Sequence, residues 1–406
     1  MNLLFIYGSE INPQEGGVQR VTYDLGVHFT GLGHSVIYLA TAKAEMCIDI
    51  NSHQYFLPNS QKLDSLENIE FYKNLVRDSR IDIIINQGGI GPKLTKFCIK
   101  IKEYFDVKVL SVIHNSLLGN VLNFTSSHST QIKRIPIPFL FNLLQTKLIA
   151  KILTYAYILK YRRHYTYSLN KYDKVVLLSE SYYPELKIIV PKCDFSKIAS
   201  IANPCILKVN KTINNKQNEL LYVGRINTAQ KRVDLLLDIW GKIYDKFPDW
   251  KFSIVGDGPE REELENSSKN MGLKRIKFYG LQNPVSFYER AKILCMTSAY
   301  EGFPLVLVEA QNFATIPIAF KSFASIDDII NTGENGLLVD AFNIEKYVAG
   351  LSEMMGNDAK MILMAKNCQK SADKFSIEFI GIKWIGLFND LLGIENNIPL
   401  QSKLPL

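Results

Sequence analysis

The chain has 406 residues, of which 47% are hydrophobic and 21% charged, and a formal net charge of +7. This is the composition of an ordinary globular protein, long enough for two or three domains that each bury a core. The positive excess is diffuse, and no basic cluster accompanies an RNA- or DNA-binding motif, so no nucleic-acid partner is expected.

Met1-Asn-Leu-Leu-Phe-Ile-Tyr7 lacks a basic leader, and its apolar run is too short for a signal peptide. It reads as a first buried strand over Leu3–Tyr7, and a cytoplasmic location is the expectation. The loop Gly8–Gly17 follows, and Val18, Val21, Leu25 and Phe29 then recur at helical spacing until Gly31-Leu-Gly33. Val36–Ala40, Ile81–Asn86, Val107–His114 and Lys174–Ser179 read as further buried strands. Strands alternating with helices imply a parallel sheet covered on both faces.

Ile135–Leu159 is strongly apolar and aromatic. Lys147 and Lys151 lie inside it, Lys133-Arg134 before it, and Lys160, Arg162 and Arg163 after it. Two internal lysines argue against a spanning helix. Two readings remain for 133–163: a basic, apolar helix on an anionic membrane surface, or a helix buried in the first domain with snorkelling lysines.

Asn203-Pro204 and the polar stretch Lys211–Asn218 mark a linker, after which a second alternating series begins. Its strands are Leu220–Val223, Phe252–Val255, Ile276–Tyr279, Ile293–Thr297, Ile316–Phe320 and Gly336–Val339. Its helices are Val233–Tyr244, Glu260–Met271, Val285–Ala291 and Leu305–Phe313. Two doubly wound α/β domains leave a cleft at the carboxyl ends of their strands, where ligands bind. The divisions expected are 1–204, 205–374 and a terminal helix over 375–395.

Cysteines 47, 98, 193, 205, 295 and 368 form no Cys-x-x-Cys pair, and no histidine stands at zinc-ligand spacing. Free thiols and no structural metal are therefore expected. No two aspartates stand two apart, so an Asp-x-Asp metal pair is also missing.

Glu301-Gly-Phe-Pro-Leu-Val-Leu-Val-Glu309 carries the most information. Pro304 suits the first turn of a helix, and the amides of Phe303, Leu305 and Val306 are then free to meet an anion. Glu309 sits in an apolar run, where a carboxylate is costly to bury without partners. One ligand with a phosphate and a polyol satisfies both ends, against the plainer reading of a helix with Glu309 on its solvated face. Gly224-Arg225 ends a strand and Lys231-Arg232 precedes a helix, so Arg225 and Lys231 are candidate diphosphate cations or plain surface charges. Val255-Gly-Asp-Gly-Pro259 reads as a turn, with Asp257 a turn former. Gly16-Gly17 opens the first helix, and His114 ends a strand at the cleft.

In this order Gly16-Gly17, His114, Asn203-Pro204, Val223-Gly-Arg225 with Lys231, Val255-Gly-Asp-Gly-Pro259, Phe278-Tyr-Gly280, Glu301-x7-Glu309 and Gly333-x-x-Gly336 resemble the retaining glycosyltransferases of family 4. The resemblance covers nearly the whole chain and implies the GT-B fold, two Rossmann-like domains facing a central cleft. It implies transfer of a sugar from a nucleotide-diphosphate donor, UDP slightly favoured over GDP, to an acceptor hydroxyl on a lipid-linked or growing cell-surface polysaccharide. No cofactor or divalent metal is implied. Arg225 and Lys231 would hold the diphosphate, Glu309 the ribose, and Glu301 the transferred sugar. Gly302, Phe303, Pro304 and Leu305 would line its site, His114 would contact sugar or acceptor, Gly16 and Gly17 would lie near the phosphate, and Leu281 would meet the base. Two positions depart from the pattern: Arg232 and Ala314 stand where the family commonly has glycine, and an effect on packing more than on chemistry is expected. An epimerase, a phosphorylase or a non-catalytic nucleotide-sugar sensor on the same fold are the competing readings.

Overall fold

The computed structural model describes residues 1–43, 53–124, 147–207, 209 and 216–395. The first seven strands, β1 (Asn2–Tyr7), β2 (Ser35–Ala40), β3 (Gln54–Phe56), β4 (Ile83–Asn86), β5 (Lys108–Ile113), β6 (Lys174–Leu177) and β7 (Ile198–Ser200), form one parallel sheet in the order 3-2-1-4-5-6-7. The next six, β8 (Gln217–Val223), β9 (Lys251–Val255), β10 (Ile276–Gly280), β11 (Ala291–Met296), β12 (Ile316–Lys321) and β13 (Leu337–Asp340), form a second in the order 10-9-8-11-12-13. Both sheets reverse their winding beside the first strand, between β1 and β4 and between β8 and β11. At such switch points the loops diverge and leave a crevice. This is the doubly wound, two-domain architecture expected.

The central strands form because they are apolar on both faces. Leu3, Leu4, Ile6, Ile83, Ile84 and Ile85 are fully buried, as parallel strands under two helical layers must be. In the first domain the helices are α1 (Gly17–Gly31), α2 (Leu66–Asp78), α3 (Pro92–Lys100), the short α4 (Gly119–Leu122), α5 (Lys147–Lys171) and α6 (Tyr183–Ile189). The second contributes α7 (Val233–Ile243), α8 (Arg261–Asn270), α9 (Val285–Arg290), α10 (Leu305–Asn312), α11 (Ile344–Met355) and α12 (Asp358–Ala372).

The terminal helix α13 (Ile377–Leu392) leaves the second domain and packs on α1, with the Phe29 and Phe388 rings edge to face at 5.5 Å. The amide of Cys205 donates to the carbonyl of Phe375 at 2.7 Å, tying the start of the second domain to the point where the chain crosses back. One apolar cluster runs through both domains, from Leu3 and Phe29 to Leu307, Trp384 and Phe388.

Of the basic, apolar stretch 133–163, residues 133–146 lie outside the described residues. The remainder opens α5, which divides its faces. Ile158, Tyr165 and Leu169 are buried in the first domain, whereas Leu148, Ile152, Tyr155 and Leu159 are 51–65% exposed. The helix is thus neither wholly buried nor free of the core. Among the described residues no helix is long and apolar enough to cross a membrane.

Candidate functional site

The second domain builds its half of the site at its switch point. Strand β8 ends at Val223, and Arg225 follows at the exposed edge, its carbonyl accepting from the Tyr222 hydroxyl at 2.8 Å. The next turn is held by Asn227, whose side chain accepts from the Gln230 amide at 2.8 Å and whose carbonyl accepts from the Lys231 amide at 3.0 Å. Across the crevice, after β11, the Ala299 amide donates to the Gln230 carbonyl at 2.7 Å. The Lys231 ammonium then meets Glu301 Oε1 at 2.6 Å, and that glutamate is only 7% exposed. Lys231 and Glu301, far apart in sequence, form one ion pair at the switch-point edge of the second sheet.

Pro304 differs from its expected place. It is the N-cap of α10, with an extended ψ of 98°, and Leu305 is the first helical residue. The amides of Leu305 and Val306 open the helix, where no preceding turn supplies a carbonyl and the dipole favours negative charge. Glu309 points inward and is 2% exposed, which rules out the solvated-face reading. Its Oε2 accepts from the Tyr288 hydroxyl at 2.8 Å, and its Oε1 pairs with Arg20 Nη1 at 2.9 Å. Burial first, then the Glu309 charge, pushes the Tyr288 phenol well above its usual range, so it stays a donor. Lys216 fixes the end of α9, which carries Tyr288, by donating to the Tyr288 and Ala291 carbonyls at 2.6 and 2.8 Å.

The first domain touches both ends of this segment. Tyr182 donates its hydroxyl to the carbonyls of Glu301 and Gly302 at 2.8 and 2.7 Å. Asn123 Nδ2 donates to the carbonyls of Ala299 and Ser322 at 2.6 and 2.7 Å. Gly302 lies so close to the end of β5 that a Cβ there would stand 1.7 Å from the His114 carbonyl oxygen. No other residue fits that approach.

Beside His114, at the switch point of the first sheet, lies a cavity of about 290 Å3 lined by Tyr7, Gln87, Gly88, His114, Tyr157 and Tyr165, among others. His114 Nε2 is 2.5 Å from Gln87 Oε1. A carbonyl oxygen only accepts, so Nε2 carries the proton. Burial pulls the imidazole down to about 4, which keeps the ring neutral and leaves Nδ1 a bare acceptor. Nδ1 and Gln87 Nε2 are both buried without a hydrogen-bond partner. Buried polar atoms are rarely left so, and here an acceptor and a donor stand ready for a hydroxyl-bearing ligand.

The structure therefore brings Lys231, Glu301, Gly302, Phe303, Pro304 and Leu305 to one edge with Arg225, and faces them with His114. Gly16 and Gly17 open α1, whose next turn carries Arg20; Gly16 is fully extended, a conformation open to any residue. Leu281 is 79% exposed beyond β10. Asp257 is a turn former as expected, its side chain accepting from the Gly258 amide at 2.7 Å. Arg232 and Ala314 have φ of +51° and +56°, so their departures bear on backbone conformation, where glycine alone is unstrained, rather than on packing. Gln87, Tyr182, Arg20 and Tyr288 escaped the sequence reading. Arg20 had the nearest signal, three positions after Gly17 on a helix that opens at the cleft.

Two facing doubly wound domains with a cationic, helix-capped crevice define the GT-B glycosyltransferase fold. Solved structures agree. The lipopolysaccharide outer core galactosyltransferase WaaB superposes with a TM-score of 0.69 at 18% identity, covering 97% of this chain and 99% of that one. Anabaena Alr3699/HepE in complex with UDP and glucose superposes with 0.70 at 15% identity, covering 96% and 100%. At such identities the likeness speaks to the fold. More particularly, residues 206–375 match the family model described as Glycosyl transferases group 1. An uncharacterized glycosyltransferase of Haemophilus influenzae is 34% identical over 218 residues, 53% of this chain and 61% of that protein. The Campylobacter jejuni α-1,4-N-acetyl-D-galactosaminyltransferase named for a diphospho-undecaprenol-linked glycan is 29% identical over 225 residues, 55% and 59% of the two chains. The chain thus spans about three-fifths of the length of these two relatives.

Proposed function

We propose that the protein transfers a sugar from a nucleoside-diphosphate donor, UDP favoured over GDP, to an acceptor hydroxyl with retention of configuration. The observation that carries this reading is the meeting of Lys231, Glu301 and the start of α10 at the edge that Arg225 also occupies. As the glycosidic bond breaks, negative charge develops on the leaving diphosphate. Arg225, Lys231 and the α10 amides stabilise it electrostatically, the task a divalent metal performs in other sugar transferases. Glu301 takes hydroxyls of the transferred sugar and Glu309 those of the ribose. Retention follows a same-face route in which the donor phosphate accepts the acceptor's proton. Closure of the cleft excludes water that would hydrolyse the donor.

The acceptor is a lipid-linked or growing polysaccharide. Support comes from relatives such as the Campylobacter enzyme and an Escherichia coli galactosyltransferase named for a diphosphoundecaprenol-linked sugar. It also comes from the apolar stripe of α5 with exposed Lys151, Lys160 and Arg163, which suits peripheral docking on an anionic cytoplasmic membrane face. An epimerase or a non-turning sensor is the competing reading, and the full Arg/Lys and Glu/Glu set favours transfer.

The test is a binding screen of purified protein against UDP- and GDP-sugars, followed by product analysis with a polyprenyl-diphosphate glycan. Transfer that retains the anomer and keeps at least half its rate in excess EDTA supports the reading. Free nucleotide with a rearranged sugar and no acceptor requirement would assign an epimerase, and rescue by manganese after EDTA would end the metal-independent account.

A further inference from the structure

Glu309 places a carboxyl group in apolar company, flanked on α10 by Leu307, Val308 and Ala310, each with no exposed surface. A carboxylate at 2% exposure is costly to bury unless a cation and directed donors meet it. Among the described residues, the cation within ion-pair distance is Arg20 at 2.9 Å, and it belongs to the other domain. The second directed donor is Tyr288, on the opposite oxygen, at 2.8 Å. The two bonds fix the plane of the carboxylate from both sides. Each oxygen retains a further lone pair, so two acceptors a fixed distance apart remain, the arrangement that a vicinal diol matches.

We infer that Arg20 is a positioning residue for nucleotide binding: helix α1 of the first domain supplies the charge and bond that hold the Glu309 carboxylate aimed at the donor's ribose. The inference rests on the nucleotide-sugar reading above. It goes beyond that reading because it makes the nucleotide half of the site incomplete within its own domain. Arg20 reaches Glu309 only while α1 stands against α10 as it does here, so donor affinity becomes conditional on the position of the first domain. Asp24, one turn along α1 at 3.9 Å from Arg20, keeps the guanidinium on that side of the helix. Tyr182, bonded to the Glu301 and Gly302 carbonyls, holds the other end of the same segment from the same domain.

The experiment is a double-mutant cycle on the full chain. Binding of UDP and GDP is measured by calorimetry, the tighter ligand being carried forward, and thermal melting confirms that each variant is folded. Arg20→Met, which keeps length and removes charge, is expected to weaken nucleotide binding at least tenfold. Arg20→Lys, which keeps the charge, is expected to recover to within about threefold of wild type, since one Coulombic contact survives without the guanidinium's geometry. Glu309→Gln alone weakens binding about ten- to a hundredfold, and in that background Arg20→Met changes it less than twofold. An equal loss from Arg20→Met in both backgrounds would make Arg20 a merely structural residue and overturn the inference. Wild-type binding by Arg20→Met beside weakened Glu309→Gln would overturn it too, leaving the nucleotide-sugar reading intact. Wild-type binding by both variants, or no binding of either nucleotide to the native chain, would instead overturn that reading and the inference with it.

Discussion

The Lys231 ammonium stands 2.6 Å from Glu301 Oε1, so the cation proposed for the diphosphate is neutralised by the carboxylate proposed for the sugar. A pair at this distance holds the ammonium in place while no anion is present. In the reading proposed above, donor binding lets the two partners share one ligand, the sugar diphosphate, instead of each other. The charges are therefore spaced for a molecule whose polyol and phosphate are adjacent.

Removing either partner separates the roles. Lys231→Met is expected to weaken UDP binding at least tenfold, since charged hydrogen bonds contribute roughly 1.5–3 kcal/mol. Glu301→Gln is expected to leave UDP binding within about twofold, or to tighten it by freeing the ammonium, while turnover falls about a hundredfold. Calorimetry beside steady-state kinetics checks this. A Glu301→Gln enzyme with reduced nucleotide affinity and full turnover would reverse the assignment.

Gly302 tests the fit between the domains. An added Cβ would stand 1.7 Å from the His114 carbonyl, which no rotamer change relieves, because both contacting groups are backbone. Gly302→Ala is expected to hold the domains apart by about an ångström and lower turnover on the order of a hundredfold, the effect of a misplacement of that size. Melting temperature is expected to fall by only a few degrees. Activity within threefold of wild type would show that the close approach plays no part in catalysis.

Two groups pull the acid profile of stability in opposite directions. Burial, resisted by Arg20 and reinforced by Glu309, lifts the Asp24 carboxyl from 3.8 to about 6. The folded state then binds more protons than the unfolded one in that window, and its stability falls as pH rises from 3.8 to 6. His114 is lowered by burial from 6.5 to about 4, so the unfolded state binds more protons, and stability falls as pH drops from 6.5 to 4. Each effect is at most on the order of 3 kcal/mol, and the two oppose each other. Urea melts from pH 4 to 7 are expected to be nearly flat for these groups in the wild type. Asp24→Asn unmasks a rise with pH, and His114→Gln unmasks a fall. Variants with unchanged slopes would refute the assignment of these shifts.

Ala314 adopts φ of +56° where a helix closes, a conformation glycine takes without strain. Ala314→Gly is expected to stabilise the protein by about 0.5–1 kcal/mol, the relief of left-handed strain exceeding the added unfolded-state entropy. Denaturant melts with and without UDP settle the sign. Arg232 at φ +51° is not equivalent, because Arg232→Gly also loses the ion pair with Asp234 at 2.9 Å.

The exposed stripe of α5 predicts surface binding that needs both apolar contact and charge. Pelleting with liposomes is expected to rise with anionic lipid and to weaken in high salt, since charge is screened over about 8 Å at physiological ionic strength. Replacing Leu148, Ile152 and Leu159 with serine is expected to abolish it. Equal pelleting with neutral and anionic vesicles would leave the stripe without a membrane role.

The central strands were legible because a strand buried on both faces is a continuous apolar run. Gln54–Phe56 and Ile198–Ser200 were missed for the converse reason: they are three-residue edge strands with partly exposed side chains. The segment from Glu301 to Glu309 announced itself through proline and two carboxylates in apolar company. Its partners did not. An arginine on an amphipathic helix, as Arg20 is, reads as a solvated face until the fold brings another domain against it, and no local pattern encodes that encounter. Arg232 and Ala314 were visible as departures, but their physical meaning lay in a dihedral angle.

The crossing of α13 onto α1 has a consequence for anyone recombining this scaffold with a relative. The portion that would travel with the first domain is not contiguous: it comprises the chain up to the linker and, separately, the helix after Phe375. A chimera joined only at the linker would pair Phe29 with a foreign residue in place of Phe388, at the centre of a ring contact that spans the first and last helices described. The second domain is therefore inherited as an insert, bounded on one side near Cys205 and on the other near Ser376, where the two crossings lie side by side.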